Sequence, residues 1–303
     1  MNLALIGSGN WGKNYIKTIN SLDDFKLKYL VTSNPQNKSL VENSNCQVVS
    51  RWEELINKSD IDGVILAVPA SIQANLAMNF IIADIPLLLQ KPLAINIEDA
   101  NNIKELVNEK ESLVLVDHTY LFHPAYEYLK NIVLNDKSII FIDSKGCNYG
   151  PFRKDISVLW DWAPHDIYMC LDLMNSFPKI IDVKKERLNS KNVNGELITV
   201  DMEFPGSIKT TSTFGNIKKT KERSLTIHTD KGLIIFDDCI SNSLILKNKD
   251  QKYIYNVSDE LPLNRVVKYF IDGLKGKVGQ RFGVDLAFDV VKAISKIDEF
   301  ACV

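Results

Sequence analysis

The sequence predicts an α/β chain in two parts: an N-terminal doubly wound parallel sheet, then an α+β part with a mostly antiparallel, open sheet. Three observations carry that expectation. The apolar run Leu3-Ala4-Leu5-Ile6 stops at a glycine and gives way to a helical pattern, which reads as strand, tight turn and helix. Up to about residue 120, short apolar runs keep alternating with helical stretches, as in a parallel sheet covered on both faces. Beyond that point, Ile198, Val200, Met202 and Phe204 alternate with Thr199, Asp201 and Glu203, the period of a strand buried on one face.

The first join reads Gly7-Ser8-Gly9-Asn10-Trp11-Gly12. In a dinucleotide site Gly7 makes the turn, Gly9 lets backbone approach a pyrophosphate, and Gly12 lets the helix lie close on the strand. The pyrophosphate then rests on free N–H groups and the positive end of the helix dipole. Gly7, Gly9, Asn10, Trp11 and Gly12 are therefore the expected cofactor contacts, and the first part reads as a Rossmann domain. A plain βα turn is the alternative.

Further strands are expected at Phe25–Val31, Gly63–Val68, Pro86–Leu89 and Ser112–Val116. The clearest helix has Ile97, Ala100, Ile103, Leu106 and Val107 on one face, with Asn96 as its N-cap. In the second part, Asn194-Gly195 and Pro205-Gly206 read as turns, and Ile208–Phe214, Leu225–Thr229, Leu233–Phe236 and Leu244–Leu246 as short strands. Asp230-Lys231-Gly232 reads as a hairpin connection. Two helices close the chain: Leu263, Val266, Val267, Phe270 and Leu274 line one, ending near Gly276, and Leu286, Val290, Ile294 and Ile297 line the other. The expected division is 1–120 for cofactor binding and 121–303 for substrate binding and oligomerisation.

A length of 303 residues is enough for two domains with cores of their own. The formal net charge of −2 leaves no basic footprint, so nucleic acid and anionic membranes are not expected partners. The first strand begins almost at Met1, and no apolar run approaches the ~20 residues that span a bilayer. Five scattered cysteines, never at C-x-x-C spacing, read as reduced and mostly buried thiols of a cytoplasmic protein, without a zinc site.

Where a carboxylate usually holds the ribose 2′-OH, at the end of the second strand, the sequence has Thr32-Ser33-Asn34-Pro35. Nothing there repels a 2′-phosphate, and the hydroxyls and Lys38 suit one, which leans toward NADP without deciding between NAD and NADP. Lys91, in Gln90-Lys91-Pro92, follows the Pro86–Leu89 strand at the edge where ligands of open α/β sheets bind; a solvated surface charge is the alternative. In Trp160-Asp161-Trp162-Ala163-Pro164-His165-Asp166, a carboxylate and an imidazole four residues apart suit holding a hydroxyl and moving its proton. That segment is expected at a loop-to-helix junction with Pro164 as the first helical residue, and Asp161 also suits an N-cap.

Taken together, the glycine turn, Lys-Pro after the strand and Asp-x-x-x-His in the second part resemble the Gfo/Idh/MocA oxidoreductases, nearly end to end. Val116-Asp117-His118-Thr119-Tyr120 with Pro124, and Tyr149-Gly150-Pro151-Phe152-Arg153, extend the resemblance. Trp-Asp-x-x-Pro-His-Asp resembles the branch of sugar-nucleotide 3-dehydrogenases. The resemblance implies NAD(P)-dependent hydride transfer to or from a hydroxyl or keto carbon of a sugar or sugar nucleotide. It implies Lys91 and His165 at the reacting oxygen, and Asp161 holding the sugar and setting the imidazole. Pro69 and Gln73 fall in a loop that meets the cofactor in the family, and Thr32, Ser33, Gln90 and Lys91 complete the expected cofactor set. Tyr149 and Arg153 are candidates for substrate contact, a packed tyrosine and a surface arginine being the alternative. A homodimer or homotetramer is implied, formed through a broad half-apolar face of the second sheet.

The chain departs from the family at Gln90, where Glu is usual, at Gln73, where close relatives often have His, and at Leu121-Phe122-His123-Pro124 for Arg-Tyr-Asn-Pro. Gln90 removes a negative charge next to Lys91. Other functions weighed are a catalytically silent dinucleotide-binding regulator and a dehydrogenase of a free polyol such as inositol. The retained Lys91, Asp161 and His165 argue against the regulator.

Overall fold

The computed structural model describes the whole chain except residues 24, 43, 137, 189–194, 241–242, 278–282 and 302–303, and the side chain of residue 136. Asn194 of the expected Asn194-Gly195 turn and Cys302 lie outside the described residues. The chain forms two compact units, Met1–Thr119 with Leu261–Phe288, and Tyr120–Glu260 with Asp289–Val303. Residues 261–288, assigned by chain order to the second part, thus cluster with the first unit.

In the first unit, strands β1 (Asn2–Ile6), β2 (Lys26–Val31), β3 (Gln47–Val49), β4 (Gly63–Leu66), β5 (Leu87–Gln90) and β6 (Val114–Asp117) form one sheet in the order β3-β2-β1-β4-β5-β6. Every pairing is parallel. Helices α1 (Asn10–Asn20), α2 (Glu53–Ile56), α3 (Ala70–Ile82) and α4 (Ile97–Lys110) connect the strands. All residues of β4, β5 and β6 are buried, as expected of strands covered on both faces. The strand order reverses between β1 and β4, and ligands of such sheets bind at the carboxyl ends beside that switch point. Asn96 caps α4 as predicted, its side chain accepting from the Asp99 N–H. Ala100, Ile103 and Val107 are the buried face of α4, whereas Ile97 is exposed. Strand β3 has only three residues, too short to show a period in sequence.

The second unit holds α5 (Pro124–Asp136), β7 (Ile139–Tyr149), α6 (Val158–Met174), β8 (Lys179–Arg187), β9 (Glu196–Phe204), β10 (Ile208–Gly215), β11 (Ile217–Thr229), β12 (Gly232–Asp237), β13 (Ser243–Lys247) and β14 (Lys252–Asn256). Their sheet runs β14-β13-β12-β11-β7-β10-β9-β8, antiparallel throughout except between β10 and β7. Helix α6 packs on β7, β9 and β10. Two helices, α7 (Pro262–Leu274) in the first unit and α8 (Val284–Phe300), whose residues divide between the units, close the chain.

Several sequence expectations change here. Strand β7 was missed because its inward face is only partly apolar: after the buried Ile142, Ser144 bonds Ser212 across the sheet at 2.8 Å, and Gly146 leaves room for other side chains. Pro164 lies inside α6, which begins at Val158; Ser157 is its N-cap, its hydroxyl accepting from the Trp160 N–H. The sheet face turned away from α6 is less apolar than expected. It carries Asp143, Lys145, Thr199, Asp201, Thr211, Thr213 and Thr226, with Thr211 donating to Asp201 at 2.6 Å. Of the four described cysteines, Cys147 and Cys170 are buried, Cys46 is half-buried and Cys239 is exposed, so burial is not general.

Candidate active site

Three backbone facts build a cradle at the start of α1. A Cβ on Gly7, whose φ is +99°, would lie 2.2 Å from the Ala67 carbonyl oxygen, and one on Gly12 would lie 2.1 Å from the Gly7 oxygen. Only glycine lets the turn and helix pack this closely. At Gly9 the space around a Cβ is open, with nothing within 4 Å. Gly9 is the N-cap of α1, no side chain caps the helix, and its first turn holds no acid. The first-turn N–H groups and the dipole are thus available to an anion, and Asn10 is exposed and Trp11 half-buried beside them. These residues fit the pyrophosphate of a dinucleotide.

At the end of β2, Thr32 faces inward. Its hydroxyl contacts that of Ser8 at 2.6 Å and accepts from the Asn34 N–H at 3.2 Å, while Asn37 donates to Ser8 at 2.8 Å. The Thr32 hydroxyl is thus engaged by Ser8 and the Asn34 N–H, while Ser33 and Lys38 are exposed. Asn34 is used in capping the short 3-10 helix Pro35–Val41.

Lys91 leaves the carboxyl end of β5 and is half-buried, followed by a cis peptide bond to Pro92. Gln73 supports the backbone around Lys91. It is buried, and its amide nitrogen donates to the backbone carbonyls of Gln90 and Pro92, on either side of Lys91. Pro69, the N-cap of α3, begins the helix that brings Gln73 there. Gln90 is also buried; its Oε1 accepts the Lys91 N–H at 3.0 Å and its Nε2 donates to Asp117 at 3.1 Å. Asp117, which sequence reasoning did not select, further accepts from Tyr15 at 2.5 Å and Thr119 at 2.7 Å. Burial raises its carboxyl above the usual range, against the pull of these donors and of Lys91. Burial, helped by the Lys91 charge, pushes His118 down to about 3. The signal for Asp117 in sequence is its place directly after an apolar strand, at the edge where ligands bind.

In the second unit, Asp161 and His165 lie one turn apart on α6. Arg153 donates to Asp161 at 3.2 Å and to Asp155 at 2.6 and 3.1 Å, so its guanidinium fork already holds two carboxylates. Tyr149 is exposed and edge-on to Phe152, not packed inside. His165 stands edge-on to Tyr120 at 5.6 Å, and its Nδ1 is 3.5 Å from the Tyr168 hydroxyl, which accepts the Tyr120 N–H at 3.0 Å. Behind it, the Arg223 guanidinium lies between the rings of Tyr120 and Trp162, at 5.4 and 5.6 Å, and 3.7 Å from Asp166. Burial lifts Asp166 to about 6, against the attraction of Arg223. A Cβ on Gly146 would meet both partners at 2.5 Å. Arg223 and Asp166 were not predicted, because a single arginine among the charges of β11 carries no period.

Among curated proteins, 4-carboxy-2-hydroxymuconate-6-semialdehyde dehydrogenase of Sphingobium sp. is 24% identical over 181 residues, 55% of this chain and 57% of that protein. The chain thus spans little more than half the length of that relative. A solved structure from Magnetospirillum magnetotacticum MS-1, described provisionally as an oxidoreductase, superposes with TM-score 0.89 and 29% identity, covering 97% of this chain and 98% of that one. UDP-N-acetylglucosamine 3-dehydrogenase of Acidithiobacillus ferrooxidans shares the fold at TM-score 0.86 and 17% identity, over 98% of this chain and 96% of that one. Residues 1–118 match the model described as oxidoreductase family, NAD-binding Rossmann fold. That region, which contains the glycine turn and Lys91, is the part of the chain similar to the Gfo/Idh/MocA oxidoreductase family.

Proposed function

We propose that the protein is an NAD(P)-dependent oxidoreductase acting at a hydroxyl- or keto-bearing carbon of a sugar or sugar nucleotide. The observation that carries the reading is the uncapped, acid-free start of α1, at the carboxyl edge of the same parallel sheet whose β5 leads into Lys91. A bound nicotinamide supplies hydride chemistry. The protein's own groups handle position and protons. Gln73 and Gln90 fix the backbone around Lys91, which takes the proton of the substrate hydroxyl in oxidation and returns it in reduction. His165, edged by Tyr120 and Tyr168, orients the reacting oxygen, and Asp161, fixed by Arg153, accepts a sugar hydroxyl. Fluorescence titration with NADH and NADPH, followed by turnover assays on a panel of UDP-sugars, tests the reading. Lys91→Ala is expected to lower kcat by about 10²–10⁴-fold. Wild-type rates in both Lys91→Ala and His165→Ala would show the assigned chemistry to be wrong.

The reading extends to a cytoplasmic homo-oligomer joined through the second sheet. Support lies in the cross-strand row Ile235, Ile245 and Ile254 on β12, β13 and β14, of which Ile254 is 58% exposed. Sedimentation of the wild type as an oligomer and of Ile254→Glu as a smaller species is the expected result; a wild-type monomer at working concentration counts against it.

A further inference from the structure

A lysine that moves a proton at a half-buried sheet edge needs its charge set by its surroundings, and the residue before Lys91 is the neutral Gln90. The carboxylate at this place is instead Asp117, fully buried at the end of β6. Three donors from three segments hold it: the Tyr15 hydroxyl of α1 and Gln90 Nε2 of β5 on Oδ2, and the Thr119 hydroxyl on Oδ1. The titratable groups acting on it are Tyr15 and Lys91, and Lys91 also acts on His118 next in the chain. Gln90 is held at both ends, since Oε1 must accept from the Lys91 N–H and Nε2 must donate to Asp117. Glutamine satisfies both demands. A glutamate would have no donor for Asp117 and would set two carboxylates about 3 Å apart in a buried site, a like-charge pair that cannot stay doubly ionised.

We propose that Asp117 is the positioning residue that supplies the counter-charge of Lys91, and that Gln90 is required to be neutral because it bridges the two. One carboxylate belongs at this edge, at position 117 and not at position 90. The proposal rests on the reading of Lys91 as the proton-handling group.

The test needs no substrate. The rate at which acetic anhydride acylates Lys91 in the purified, cofactor-free protein, followed by peptide mass spectrometry across pH, reports the fraction of neutral amine. Asp117→Asn is expected to raise the rate near neutrality about tenfold, the effect of one pKa unit. Because the paired carboxylates of Gln90→Glu share one proton, that variant is expected to stay within about twofold of wild type, as is the double variant Gln90→Glu/Asp117→Asn, which keeps one carboxylate at the site. Thr119→Val, which removes a single donor, gives a smaller rise and serves if Asp117→Asn does not fold. Unchanged acylation of Lys91 in Asp117→Asn, or in Thr119→Val where only that variant folds, overturns the proposal. So does a double variant no closer to wild type than Asp117→Asn alone. Failure of the reading for Lys91 itself appears elsewhere, as wild-type turnover in Lys91→Ala with the acylation pattern intact.

Discussion

In both units burial favours the neutral form of an ionisable group. Because that form is deprotonated for His118 and protonated for Asp166, the two groups answer pH in opposite directions. In the first, His118 is held neutral by burial and the nearby Lys91, far below its ordinary value. In the second, burial holds the proton on Asp166 up to about 6, even with Arg223 at 3.7 Å. A histidine forced neutral makes acid harmful, and a carboxyl kept protonated makes acid helpful. Proximity to a charge therefore does not set the outcome by itself; both interiors refuse the charged form, and the direction of the pH response follows from whether the buried group is a base or an acid.

The largest expected effect tests the first half of that contrast. Unfolded, His118 binds its proton near pH 6.5, but the folded unit refuses it until about 3. Stability is therefore fully present above pH 6.5 and lost as the pH falls, by about 5 kcal/mol over the whole window. Denaturant titrations of wild type and His118→Asn at several pH values should show the variant losing much less. Parallel curves would remove His118 from the account.

Next come the glycines, which separate fold from function inside the first unit. Gly7→Ala and Gly12→Ala each drive a Cβ to within 2.2 Å of a carbonyl oxygen, and are expected to cost on the order of 4 kcal/mol. Gly9→Ala meets nothing within 4 Å, so its melting point should hold while NADH affinity falls. A Gly9→Ala protein that binds NADH as tightly as wild type would remove the pyrophosphate from this turn.

These contrasts also explain what was legible in the sequence. In the first unit the site is a property of backbone spacing, and Gly7, Gly9, Gly12, Lys91 and the Asn96 cap stand in order along alternating strands and helices. Its hidden part is the support: Gln73 clasping two carbonyls, and Asp117 joining α1 to β5, are long-range meetings with no local pattern. The second unit inverts the proportion. Its apolar strands β9, β10 and β12 were legible, but β7 was not, since Ser144 and Gly146 on its inner face serve a polar pair and a buried ion pair. Edge strand β14 is exposed along its length and has no one-sided burial to read. The contact of Thr32 with Ser8 was hidden for a related reason, because the two lie 24 residues apart.

The second half of the contrast carries the next smaller effect. The folded unit keeps a proton on Asp166 to about pH 6, whereas the unfolded chain keeps it only to about 4. Stability is therefore greatest below that window and declines by about 3 kcal/mol as the pH rises through it. Hydrogen exchange of β7 and β11 amides, corrected for intrinsic rates, should follow this decline in wild type and stay flat in Asp166→Asn. Stability that rises with pH in wild type but not in Asp166→Asn would mean that Arg223 outweighs burial and holds Asp166 charged.

The smallest effect sharpens the contrast within α6, between a residue that starts the helix and one kept for chemistry. Ser157 caps the helix, so Ser157→Ala should cost about 1 kcal/mol and leave turnover alone. Asp161, four residues later, holds Arg153, whose side chain is 38% exposed; a pair of that kind stabilises by less than about 1 kcal/mol. Asp161→Asn should therefore leave the melting point nearly unchanged while raising KM for a sugar substrate. If Asp161→Asn destabilised the protein more than Ser157→Ala and left KM untouched, Asp161 would be a structural partner of Arg153 in the first turn of α6. The pairing of Asp161 with His165 would then reduce to helical spacing, and Lys91 would stand as the sole proton-handling group.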